Sequence, residues 1–545
     1  MAIKRYIANS DTTITNAFKS NLSTRGTGSN MGRADSLEVF SIYAQESSGS
    51  SELSRILVNF PISSIETDRS NSVIPASGSV SFYLRMFNAV TPFTLPRNFT
   101  LVATAVSGAR DGNIPTDYDF NWQEGNGLDM EGYTDITREG IGANWINMGS
   151  SSTDGVIKWG NQSSPSVGGV YYNDGEATFT QTFNVGSEDL EIDITTLVEQ
   201  WLDSTGNTIG SKPRYGMGIH LTGSEEVYVA TADATTDVPA NTDGASRSYY
   251  TKKFFARSSE FFYRRPMIEA RWDAVKRDNR GNFIYSSSLA TAEENMQTLY
   301  LYNYFRGQLR AIPGLTDEKI YVSFYSGSAA DTVPSGSRLD LVADGAHVVD
   351  PSALFVTGGV SSVVGIYTAS VCLTAAATPL STIYDVWSTA ADASTFVEYH
   401  SGSFSPQKIN LSPQNPSTRF VSSVDNLKSI YSPAEKARFR VFTRQKGWSP
   451  NIYTKAVATV PPFIIASGSY SITRMIDNLT AVSYGTGSSP SYTQLSYDVS
   501  GSYFDLDMGL LEPGYAYQIR LAYYNGSIGD WQEQPEEFKF RVEES

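Results

Sequence analysis

A single cysteine, Cys372, stands in 545 residues. An internal disulfide is thereby excluded, and the lack of any C-x-x-C pair excludes a thiolate metal site. Cys372 lies in the apolar run IYTASVCLTAA and is expected to be a small buried hydrophobe. Histidine is almost as scarce. His220, His347 and His400 are isolated, with no H-x-x-x-H spacing, and no G-x-S-x-G step accompanies them. His220 alternates with Met217, Ile219 and Leu221 and is expected to be structural. No apolar run approaches the ~18–20 residues of a membrane helix. The opening MAIKRYIANSDTT lacks the apolar centre of a secretory signal. Positive charge is in deficit, with 41 Lys and Arg against 57 Asp and Glu, a net charge of −16. Nucleic acid is therefore not an expected partner, because phosphate contacts need clustered cations.

What the chain does have is the cadence of β-structure. Charged residues are 18% of the total, and short runs of β-formers alternate with Gly, Ser, Asn and Asp. We read an all-β protein of three domains: a jelly-roll sandwich over 1–273 with a short plugging helix, then Ig-like sandwiches over 274–407 and 408–545. In SVSFYLRMF, Val80, Phe82, Leu84 and Met86 fall on one face by the period of two, with Tyr83 and Arg85 on a wetted one. SELSRILVNFPISSI, Ser51–Ile65, reads as a strand ending in a turn. DITTLVEQWLDS places Ile194, Leu197, Val198, Trp201 and Leu202 on one helical stripe. Asp193 or Thr195 would cap its start, and Gly206 follows its end. A second short helix is expected at Ala290–Met296. The polar stretch after Asp273 and the Pro-rich SPQKINLSPQNPS mark the domain boundaries.

Three places could carry chemistry. The loop DGNIPTDYDFNWQEGNGLDMEGYTD holds Asp111, Asp117, Asp119, Glu124, Asp129 and Glu131 around Trp122. A glycosidase needs two carboxylates ~5–9.5 Å apart, which spacing in sequence does not supply. Oxygen ligands from such a loop suit a structural Ca²⁺, and that is the one cofactor left open; otherwise none is expected. RDNRGNF, Arg277–Phe283, begins like a calcium loop but lacks its later acids. A solvated acidic loop is the favoured interpretation of both. Arg264, Arg265, Lys276, Arg277 and Arg280 form a local basic cluster, expected as a domain joint with scattered salt bridges, with docking on an acidic neighbour as the alternative. The aromatics are dense at YLYNYF, and Trp122, Tyr300, Tyr302 and Tyr304 are the residues to contact a glycan or a protein neighbour.

Several segments carry a resemblance in a fixed order. SDTTITN (Ser10–Asn16), NMGRADSLEVF (Asn30–Phe40) and SRILVNFPISSI (Ser54–Ile65) come first. ANWI (Ala143–Ile146), LEIDITTLVEQWL (Leu190–Leu202) and FFARSSEFFYRRPMIEARW (Phe254–Trp272) follow. Together they resemble the DNRLRE-type jelly rolls, with Asn30-Met31-Gly32 as that family's asparagine-aromatic-glycine step and Met31 replacing the aromatic. LLEPGYAYQIRLAYYNG (Leu510–Gly526) resembles the end of a fibronectin III or Ig-like domain. There Tyr517 would be the corner tyrosine, bonding back to the turn at Pro513 and Gly514. The whole layout is similar to tailed-bacteriophage virion proteins. This implies a non-enzymatic structural protein in a virion, made in the host cytoplasm without a signal peptide and not inserted in a membrane. Its partners would be other virion proteins and copies of itself. The alternative is a glycan-binding adhesin or receptor-binding module.

Overall fold

The computed structural model describes residues 2–43, 51–91, 95–107, 121–130, 142–151, 155–160, 165–173, 175–203, 214–232, 238–315, 319–327, 334, 338–342, 349–350, 354–360, 363–374, 380–389, 396–407, 419–449, 451–452, 462–485, 491–526 and 528–544. Strands dominate these residues and the helices are short, so the protein is all-β, built from curled, sandwich-like sheets. Two compact units divide the chain, Ala2–Trp272 and Asp273–Ser545.

In the first unit one sheet runs Ile3–Ile7, Met267–Trp272, Val80–Met86, Leu190–Asp193, antiparallel throughout. Its first two members are the opening and closing strands of the unit, with Ile3 opposite Arg271. The other large sheet runs Thr178–Phe183, Phe99–Ala105, Met217–Leu221, Ser51–Asn59, Ser36–Tyr43, Tyr249–Phe255, and Ser10–Thr15 also pairs with Ser51–Asn59. The expected alternation in Val80–Met86 holds on one face, where Val80, Phe82, Leu84 and Met86 are buried. The opposite face is not wetted. Arg85, Glu269 and Arg271 are buried there. The reason is mutual neutralisation: Glu269 accepts from Arg5 Nε at 2.7 Å, Arg85 Nη1 at 3.2 Å and Arg271 Nε at 2.7 Å. Buried cations persist only when so answered.

The amphipathic segment forms a helix over Thr195–Leu202 that buries Leu197, Val198 and Trp201 and packs on the Val80–Met86 strand. Its start is tied by Asp193, whose Oδ1 accepts from the Thr195 N–H at 2.9 Å. Gly206 lies outside the described residues. A further helix, Ile62–Ser70, corrects the strand-and-turn expectation for Ser51–Ile65. The strand stops at Asn59 because Pro61 has no N–H to continue the ladder. Arg69 then joins the two helices by a two-pronged bond to Glu199 at 2.6 and 2.7 Å. The segment EVYVATA contributes isolated bridges at Val227 and Val229.

The second unit holds a six-stranded antiparallel sheet in the order Gln297–Tyr302, Ile366–Val371, Val356–Val360, Ile320–Tyr325, Ile383–Ser388, Glu398–Phe404. Its core gathers Phe283, Leu299, Val322, Phe324, Tyr367, Trp387 and Phe404. The predicted short helix is present as Ala292–Asn295, with a reciprocal cap between Thr291 and Glu294. Two further sheets form a sandwich. One runs Phe420–Val424, Lys436–Gln445, Gly501–Asp507, Ser496–Asp498. The other runs Ile430–Tyr431, Asp530–Val542, Ala516–Asn525, Gly468–Arg474, Thr480–Val482. Stacked rings join them, with Tyr470 and Phe504 centroids 4.0 Å apart.

Tyr517 is fully buried, and its hydroxyl donates to the Glu512 carbonyl at 2.8 Å, the residue just before Pro513. Tyr517→Phe would strand that carbonyl, so a loss of about 1–3 kcal/mol in urea unfolding is expected.

Candidate functional site

The strand Gln297–Tyr302 is an edge of the six-stranded sheet. Leu299 and Leu301 enter the core, and the period of two sends Tyr300 and Tyr302 to the other face. The open edge is blunted from the preceding segment. Asn279 Oδ1 accepts the Thr298 N–H at 3.0 Å, and Arg280 Nη1 donates to the Tyr300 carbonyl at 2.6 Å. Tyr300, Tyr302 and Tyr304 stack as a ladder, with centroids 6.2 and 6.4 Å apart and planes within 21° and 14°.

The ladder has two kinds of rung. Burial raises the Tyr300 phenol's pKa, against the opposing pull of the Arg277 backbone beside it. Tyr302 neighbours Tyr503 of the C-terminal sandwich and carries the Lys276 ammonium 5.7 Å from its ring centre. Burial, then Tyr503, pushes the Tyr302 phenol well above its ordinary range. These two rungs are half-buried inside the second unit. Tyr304 is 59% exposed, and Phe305 beside it 56%.

Both sit on a small hairpin, Tyr304–Phe305 paired with Gln308–Leu309. Its turn, Arg306 and Gly307, has φ of +51° and +77°, the mirror-image turn that suits a two-residue loop. The Arg306 guanidinium lies 5.3 Å from the Phe305 ring centre. Asn303 N–H donates to the Gly365 carbonyl at 2.8 Å, which brings the turn at Val363 and Val364 alongside. Gly365 is needed there: its φ is +86°, and a Cβ would stand 2.6 Å from the Arg310 nitrogen. Val364 is 62% exposed. Tyr304, Phe305, Val363 and Val364 thus make an exposed apolar patch at the sheet's end. The valines escaped sequence reasoning because VVGIYTASVCLT reads as one strand, whereas the strand starts at Ile366.

Trp122 is elsewhere, and its expected role is corrected. It is 4% exposed, packs in a cluster with Trp145 and Trp159, and donates its Nε1–H to the Tyr215 carbonyl at 2.8 Å. A buried indole has no face to offer a sugar. Asp111, Asp117, Asp119 and Glu131 lie outside the described residues, as does His347. Glu124 is not solvated: it grips Arg257 at 2.7 and 2.9 Å and accepts the Asp11 N–H at 3.0 Å. Burial pushes the neighbouring Asp11 carboxyl up to about 7.

The calcium-like stretch is also committed internally. Arg280 bridges Asp278 at 2.8 Å and Asp385 at 2.6 Å. The residues of the expected basic cluster divide between the two units. In the first, Arg264 lies over Phe255 and Phe261, and Arg265 lies over Phe262 and donates to the Ser259 carbonyl. His220 is held at the Leu221 carbonyl, 2.7 Å away, and burial lowers its pKa. Cys372 is buried. Among the described residues no three His, Cys, Asp or Glu side chains are grouped to hold a metal ion, and no helix is long and apolar enough to cross a membrane.

No family model matches the chain. No curated protein matches it. Solved structures with some likeness include the two tandem V-type regions of a v-region-containing chitin binding protein, at 6% identity over 49% of this chain and 98% of that one, with a TM-score of 0.12. The native alpha-2-macroglobulin of E. coli aligns at 8% identity over 90% of this chain and 22% of that one, with a TM-score of 0.15. A DUF4785 family protein of Legionella pneumophila aligns at 7% identity over 93% and 90%, with a TM-score of 0.12. Scores this low carry no argument about fold or function, so the functional case rests on this chain's own residues.

Proposed function

We propose that this chain is a non-enzymatic structural component of a bacteriophage virion, in its tail, neck or head surface, working through protein–protein interfaces. The observation that carries the interface part is the patch of Tyr304, Phe305, Val363 and Val364, apolar and exposed at the end of a sheet whose edge is otherwise blunted. Exposed aromatic side chains with an arginine beside them are the usual anchors of protein interfaces. The virion part is supported by the resemblance of the layout and by the acidic composition, which suits a soluble subunit rather than a nucleic-acid binder. The partners are other virion proteins and copies of the same chain.

The glycan-binding alternative has less to stand on. Of its four named contacts, Trp122 is buried and Tyr300 and Tyr302 are engaged within the unit, leaving Tyr304.

A chain carrying Tyr304→Ser and Phe305→Ser is expected to unfold within about 1 kcal/mol of wild type, as surface changes do. Its association with the partner or with itself should weaken at least ~10-fold, the effect of losing an aromatic anchor. Sedimentation of the purified chains and its copy number in purified particles, by mass spectrometry, read the two quantities. Absence of the wild-type chain from every particle would sink the proposal, as would its turning over a sugar polymer.

A further inference from the structure

Lys252 is a buried cation of the first unit. It lies on the strand Tyr249–Phe255 of the larger sheet in the first unit and is 1% exposed. Its Nζ donates to Asn88 Oδ1 at 2.7 Å, the Gly186 carbonyl at 2.8 Å and the Glu188 carbonyl at 2.7 Å. Phe183 and Phe254 wall the site, with ring centres 4.9 and 5.2 Å from Nζ. Burial lowers the ammonium's pKa to about 8, against the pull of Asp189 and Glu188. Near neutrality a measurable share is therefore the free amine. That amine keeps two protons for the two main-chain carbonyls. The 2.7 Å contact with Asn88 Oδ1 holds Nζ beside the Asn88 carboxamide.

We propose that Lys252 and Asn88 join in an intramolecular amide bond. The neutral Nζ attacks Asn88 Cγ, and the Nζ–Cγ bond forms as the Cγ–Nδ2 bond breaks. One Nζ proton passes to Nδ2, and ammonia leaves; nothing is oxidised or reduced. Asp189, whose Oδ1 accepts the Asn88 backbone N–H at 2.7 Å and whose charge acts on Lys252, is the carboxylate we assign to relay the proton. The apolar walls keep water from competing for the carboxamide and favour the uncharged amine. The bond would link the larger sheet to the chain just past Val80–Met86 of the smaller one, across 164 residues of sequence. It is a covalent staple between the two sheets of the first unit.

Intact-mass spectrometry of the full wild-type chain, held in mildly alkaline buffer, tests this directly. The expected mass is that of the sequence less one ammonia. Protease digestion should yield a branched peptide containing both Asn88 and Lys252. Lys252→Arg and Asn88→Ala chains should keep the full mass. Cyclisation of an asparagine onto the main chain also expels ammonia, but would persist in Lys252→Arg. Asp189→Asn should slow or abolish the loss. A wild-type chain at its full sequence mass, or an ammonia loss that survives Lys252→Arg, overturns the proposal. A Asp189→Asn chain that reacts at the wild-type rate overturns the relay.

Discussion

Replacing Glu269 by glutamine is expected to cost about 3–5 kcal/mol, the range for removing one partner of a buried ion pair. Glu269 is 2% exposed and touches three guanidinium groups. Glutamine keeps the shape but turns one acceptor into a donor that faces other donors. Glu191 would then be the carboxylate left beside Arg85 and Arg271, at 3.5 and 2.7 Å. The pH dependence is part of the expectation. Burial pushes the Glu269 carboxyl up, but Arg85, Arg5 and Arg271 together overcome this and hold it well below the ordinary range. A carboxyl depressed in the folded state binds its proton more readily when unfolded. Its stabilisation is therefore complete above the ordinary value of 4.5 and is lost as pH falls toward the lower folded value. Urea unfolding should show the full gap between wild type and variant at neutral pH, narrowing only below about pH 4.5. Adding Arg85→Met to the glutamine variant should recover part of the loss, because one unanswered cation is removed. A gap under about 1 kcal/mol at neutral pH would contradict the account.

Asn30→Ala should cost a similar amount, about 3–5 kcal/mol, since four hydrogen bonds, three of them fully buried, go at once. The Asn30 carboxamide works at full capacity. Its Oδ1 accepts from Gly32 N–H at 3.1 Å and Gly127 N–H at 2.9 Å. Its Nδ2 donates to the Glu124 and Ala143 carbonyls, each at 2.8 Å. The surrounding backbone closes so tightly that a Cβ at Gly127 would fall 1.7 Å from the Asn30 carbonyl oxygen. This knot fixes the segment that carries Trp122 into its tryptophan cluster and Glu124 onto Arg257 and Asp11. Asn30→Asp keeps the size but sets a carboxylate against two carbonyls, so it should be no milder. Urea unfolding gives the energy, and loss of the near-ultraviolet tryptophan signal reports the cluster. An aspartate variant as stable as wild type would show that the two donated bonds contribute little.

What could be read from the sequence was local and periodic. The alternation in Val80–Met86, the stripe of Leu197, Val198 and Trp201, and the Thr291–Glu294 cap all depend on neighbours within a few residues. What could not be read depends on distant partners. Trp122 sits among acids and looks exposed, yet its segment is pulled inward by Asn30, 94 residues from Glu124. Arg85 looks like a solvent-facing alternate, yet its carboxylate is 184 residues away. The Ile62–Ser70 helix has just Ile62 and Ile65 to bury, so it shows no stripe to detect. At the site, the aromatic run was visible, but the division into two structural rungs and one free rung was not. That division is set by Tyr503, which sequence spacing does not connect to Tyr302.

The pairing of Ile3–Ile7 with Met267–Trp272 has a consequence for biosynthesis. The strand made first waits beside an empty place until the last strand of its unit leaves the ribosome. At ~5–20 residues per second this delay is tens of seconds, and once made, the Val80–Met86 strand also lacks one of its two neighbours until then. A chaperone that shields nascent β-edges would therefore act on this unit before translation passes Trp272, and a stop codon placed shortly before that point should yield an aggregating fragment rather than a smaller folded one.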